Sequence, residues 1–167
     1  MPMFIGQIVR HAYTTHPEVC IAGVGDATCD KASAQVGQFE TDNRIDQDLK
    51  NIWPEKGGGG TGQESYQNMA YFFARKVELD CLKRGKKGLV FFFGDEGFYA
   101  KVSKEEVKEI FGDDIPKDIP SSEIFKELQK KFDVFLVFPR KSWEERKGDI
   151  DNEIKQRIEA AGGLVEG

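Results

Sequence analysis

A chain of 167 residues with 39% hydrophobic and 32% charged residues is long enough to bury one core, and its 13 Phe are too many for a disordered segment. The net charge is −5, from 24 Lys and Arg against 29 Asp and Glu. That balance argues against a nucleic-acid surface, which needs a basic face, and no apolar run approaches the ~20 residues of a membrane span. The three cysteines, Cys20, Cys29 and Cys81, lack C-x-x-C spacing. They speak against zinc and fit a reducing cytoplasm. Residues 1–13 lack the layout of a signal peptide, because Arg10 and His11 interrupt the apolar segment.

In chain order, Ile5, Ile8, Val9, Ala12 and Tyr13 predict a helix that Pro17 ends. Residues 19–24 form an apolar run of strand type, and Gly25-Asp26 turns the chain. Residues 35–39 alternate as an edge strand does. Asp42 is placed to cap a helix through Ile45, Leu49 and Ile52, which Trp53-Pro54 stops. A glycine loop, residues 56–62, then feeds a helix whose buried stripe is Tyr66, Met69, Ala70, Phe73 and Val77. The basic run Lys83-Arg84-Gly85-Lys86-Lys87 reads as a solvated turn before a buried strand, residues 89–93.

Ser103 and Glu106 form a capping box at the start of a short helix. After a loop over residues 113–120, Ser121 or Ser122 opens the helix of Ile124, Phe125, Leu128 and Phe132. Residues 133–138 are a further buried strand. Residues 150–161 are a last helix, with Gly162-Gly163 as its stop. Near-continuous apolar strands alternating with helices predict an α/β domain over residues 1–167. Its sheet is mostly parallel, with helices on both faces and one antiparallel edge strand. The strands at 19–24, 89–93 and 134–138 are expected to be parallel and buried, and Phe91–Phe93 to be core.

The glycine loop and Gly94-Asp95-Glu96-Gly97 carry the functional signal, since loops at the carboxyl ends of parallel strands share one crevice. Residues 24–30, 38–43, 57–65 and 93–96, in this order and spacing, resemble the von Willebrand factor type A (vWA) domain, particularly its bacterial and phage members. The resemblance implies a Rossmann-like fold and a metal-ion-dependent adhesion site at the top of the sheet. It assigns Thr61 and Asp95 as metal ligands, Glu64 as a weaker candidate and Asp26 as a neighbour. The family's first motif, D-x-S-x-S, has no counterpart in residues 1–25. The central first strand is therefore missing, and truncation at the N-terminus is expected in preference to degeneration. Oxygen ligands suit Mg²⁺, expected to bind weakly or not at all without that motif.

The competing readings are bland. Asp95 also suits a turn, Thr61 a helix cap, and Glu64 the first turn of a helix. A P-loop has the spacing of Gly57 to Gly62, but Gln63 and Glu64 stand where Lys and Ser or Thr belong. His11 and His16 do not share a helical face, Cys20 reads as a small core residue, and Cys29 has no nearby His. The expected function is a non-enzymatic, cytoplasmic, protein-binding module with a vestigial or incomplete Mg²⁺ site. The alternative is a metal-dependent hydrolase or nucleotide-binding domain using Asp26, Asp95 and Glu96.

Overall fold

The computed structural model describes Gly6, Gln7, Arg10 and residues 16–55 and 62–137. The chain falls into two compact units, Met1–Gly58 and Gly59–Gly167. The predicted helices over residues 5–13 and 150–161 lie largely or wholly outside the described residues, although Gly6, Gln7 and Arg10 are helical.

In the first unit, β1 (Ala22–Val24) pairs antiparallel with β2 (Ala34–Val36), and a bridge between Val19 and Glu40 continues the ladder. This corrects the expectation of a buried parallel strand at 19–24: β1 is only half-buried. Among the described residues its one partner strand is β2, and the 25–33 connection, shorter than the roughly a dozen residues of a parallel crossover, makes that pairing antiparallel. The antiparallel reading of the following strand holds, though β2 is shorter than expected.

α1 (Arg44–Asn51) follows, with Ile45 buried and Leu49 half exposed at 50%. Its N-cap is Asn43, not Asp42, and Asp42 Oδ1 accepts from Arg44 N at 3.0 Å instead. Ile52 is already extended, consistent with the stop at Trp53-Pro54. Gln35 ties this end to the hairpin: its Oε1 accepts from Trp53 N at 2.7 Å and its Nε2 donates to Trp53 O at 2.9 Å.

The second unit is built around α2 (Tyr66–Arg75), which is buried on almost every side. The predicted stripe of Tyr66, Met69, Ala70, Phe73 and Val77 is buried throughout. β4 (Gly88–Phe93) pairs in parallel with β8 (Phe132–Val137), as expected. Short pairs accompany them: β3 (Gln63–Glu64) parallel to β5 (Gly97–Phe98), and β6 (Lys101–Val102) antiparallel to β7 (Ile119–Pro120). Among the described residues the strands thus form four two-stranded sheets, two of them parallel, and not one continuous sheet.

α3 (Lys104–Phe111) starts at Ser103, whose Oγ accepts from Glu106 N at 3.4 Å. α4 (Ser121–Lys131) runs straight into β8, so Phe132 begins the strand and does not end the helix. Arg75 of α2 grips Glu127 of α4 through two hydrogen bonds of 2.8 Å. The basic turn is solvated, as expected: Lys83 pairs with Asp80 at 2.7 Å and Lys87 donates to Gln129 O at 2.8 Å.

One face of the β4–β8 pair is the core. Phe92 and Val134 are buried there, Phe92 meets Phe125 of α4, and Phe132 meets Phe73 of α2. The other face corrects the expectation that residues 89–93 are wholly buried. Leu89 is 46% exposed and Phe93 68%. Side chains alternate along a strand, and α2 and α4 pack against the face that carries Phe92 and Val134.

Candidate functional site

The segments that follow the two loops singled out in the sequence are neighbours. β3 pairs with β5, Gln63 opposite Gly97 and Glu64 opposite Phe98, so the segment leading into α2 lies beside the segment leaving β4. Gly62 holds the left-handed conformation (φ +71°) that a side chain would resist, and β3 starts directly after it. Ser65 then begins α2, its carbonyl accepting from Asn68 N at 3.0 Å.

Tyr66 locks the two loops together. Its ring meets Phe92 edge to face at 6.0 Å, and its hydroxyl lies where a β-carbon on Gly94 would be. Gly94 N donates to Val137 O at 3.3 Å. Burial pushes the Tyr66 hydroxyl far above its ordinary ionisation range, and the negative charges of Glu64, Asp95 and Glu96 push the same way. The phenol therefore stays protonated, beside an acidic loop edge. Asp95 is exposed at the bend after β4, and Glu96 and Glu64 are half-buried.

Thr61 lies outside the described residues, and the expected Thr61–Asp95 pair falls there with it. Among the described residues no group of three or more His, Cys, Asp or Glu side chains is arranged to hold a metal ion.

Asp26 belongs to the first unit, where it is 3% exposed and organises a turn. Its Oδ1 accepts from Thr28 N at 2.9 Å and Thr28 Oγ1 at 2.7 Å, and its own N donates to Asp30 Oδ2 at 2.7 Å. Cys20 is half-buried against Gly37 O, and burial, followed by the Asp48 charge, pushes its thiol up to about 11. Cys29 is exposed and its thiol is also raised. Neither is an activated nucleophile. His16 is exposed, and His11 lies outside the described residues.

The second unit also holds a feature that sequence reasoning missed. An open cavity of about 320 Å³ is lined by Gln63, Tyr99, Ala100, Lys101, Ser103 and Glu106. Lys101 is tied to Asp118 at 2.5 Å. The Glu106 carboxylate does not complete the capping box; its Oε2 accepts from the buried Asn68 Nδ2 at 2.7 Å. Next to Asn68 in α2, Gln67 is wholly buried and neither polar atom of its amide has a hydrogen-bond partner. The only hint in the sequence is the polar pair Gln67-Asn68, set between the apolar positions of the stripe.

No protein-family model, no curated protein and no solved structure matches the chain.

Proposed function

We propose that this chain is a non-catalytic, protein-binding α/β module of Rossmann-like, vWA type, with an incomplete Mg²⁺ adhesion site, working in the cytoplasm. The observation that carries the reading is the β3–β5 pairing, which sets the exit of the glycine loop beside Gly94-Asp95-Glu96 at the carboxyl end of a parallel strand. Asp95 is exposed there on a backbone that the Tyr66–Gly94 contact fixes. An edge with an accessible carboxylate suits recognition. Nothing described beside it resembles a nucleophile with its base. No helix among the described residues is long and apolar enough to cross a membrane.

The test is a titration of the full chain with MgCl₂, followed by amide NMR, with Asp95→Ala in parallel. Weak, millimolar shifts confined to residues 62–66 and 94–98, and lost in the variant, are expected. A protein captured from cell extract by the wild type and not by Asp95→Ala is the second expected result. Turnover of nucleoside triphosphates or phosphoesters with Mg²⁺ would overturn the reading in favour of a hydrolase. Shifts elsewhere, or equal in both proteins, would remove Asp95 from the site.

A further inference from the structure

Among the described residues, no element covers one apolar face of the β4–β8 pair. Its register sets Leu89 opposite Asp133, Phe91 opposite Phe135 and Phe93 opposite Val137, and the alternation of a strand puts all six on one side. Phe91 and Phe135 stack at 4.9 Å, with Phe93 6.4 Å from Phe91. Leu89, Phe93 and Val137 are exposed. The one charge, Asp133, sits at the end of the strip and pairs with Lys87 at 3.8 Å. Parallel strands are stable when both faces are covered, and α2 and α4 cover only the opposite face.

We propose that this face is the seat of the chain's own residues 150–161. Ile150, Ile154, Ile158 and Ala161 stand at i, i+4, i+8 and i+11, a single apolar stripe on a helix pattern that is otherwise polar but for Ala160. As a helix the segment is ~18 Å long. The six residues of β4 span ~20 Å, so stripe and strip match in length. Residues 138–149 connect the end of β8 to the segment, and at ~3.3 Å per residue they reach back along the whole strand. Such a tether supplies an effective concentration near ~1 mM, which favours the chain's own segment over a second copy.

Hydrogen exchange on the full-length protein, read by mass spectrometry, tests the seating. Residues 150–161 are expected to be protected in the wild type, and Phe93→Asp is expected to raise their exchange at least tenfold while residues 66–75 stay protected. Ile154→Asp approaches the same contact from the helix and is expected to have the same effect, with increased binding of a hydrophobic dye. It decides the matter if Phe93→Asp does not fold. Free exchange of residues 150–161 in the wild type, or protection that survives both substitutions, would overturn the proposal. A concentration-dependent dimer that Phe93→Asp dissociates, with residues 150–161 unprotected, would assign the face to a second copy and overturn it equally.

Discussion

The Tyr66 hydroxyl and Gly94 are in contact between the start of α2 and the end of β4, so close that a β-carbon at Gly94 would lie 1.7 Å from the oxygen and 2.7 Å from Cζ. No rotation of a methyl group relieves a clash of that size. Gly94→Ala is expected to push Tyr66 out of its place against Phe92 and to cost about 1–3 kcal/mol. Tyr66→Phe removes the nearest atom but leaves the ring, so the double variant should recover part of that loss and not all of it. Urea unfolding of the two single variants and the double variant measures the coupling. Additive losses would show that the two residues do not meet.

Gln67 makes an unusual demand on α2. A wholly buried amide without a protein partner costs about 1–3 kcal/mol relative to an apolar group of the same shape. Gln67→Met keeps the volume and removes both polar atoms. The variant is expected to be more stable than the wild type by about 1 kcal/mol or more. Thermal and urea unfolding provide the measurement. A clear loss of stability would reveal that an ordered water or ligand satisfies the amide in the native protein.

The sequence is most legible where side-chain spacing alone decides the structure. The stripe from Tyr66 to Val77, the Ser103 cap and the parallel pairing of the two Phe-rich strands needed only periodicity and apolar content. The antiparallel strand after residues 19–24 was legible too, since residues 25–33 are too few for a crossover; that β1 pairs with β2 and not with β4 or β8 was not, because an apolar run does not name its partner strand. The exposure of Phe93 was not legible. Hydrophobicity says that a side chain favours burial, while the number of layers around a strand decides which face is covered. At the site, the neighbouring loops followed from strand order. Tyr66 read as an ordinary core residue, because its contact with Gly94 depends on tertiary distance. Glu106 left its capping-box role because a buried amide 38 positions earlier competes for its carboxylate.

Cysteine reactivity offers a check on the absence of a nucleophile among the described residues. The thiolate is the reactive form, and a Cys20 thiol raised to about 11 is only ~0.1% ionised at pH 8. Cys29 is exposed whereas Cys20 packs against Gly37 O. In a Cys81→Ser background, which removes the third, part-exposed thiol, Cys29→Ser is therefore expected to remove the fast phase of labelling by a disulfide reagent and to leave a slow Cys20 phase. The slow rate should rise about tenfold per pH unit until the pH approaches 11. Rapid labelling of Cys20 at neutral pH would contradict its burial.

The Arg75–Glu127 pair sets an acid limit on the packing of α2 against α4. Its two 2.8 Å hydrogen bonds hold the Glu127 carboxyl below its ordinary range, with the Arg75 hydrogen bond as the main cause. A depressed folded-state value means that protonation is harder in the native protein than in the unfolded chain. The stabilisation is therefore complete above the unfolded value of ~4.3 and is lost as pH falls through the lower folded value. Both side chains are about a third exposed, which limits the effect to about 1 kcal/mol or less. Glu127→Gln keeps the shape and removes the charge. Its stability deficit is expected to be constant from pH 7 to pH 5 and to shrink as protonation makes the wild-type carboxyl resemble the amide. Urea unfolding in steps from pH 7 to pH 3 reads this directly. A deficit that persists or grows toward pH 3 would mean that the two helices are not held together by this charge pair.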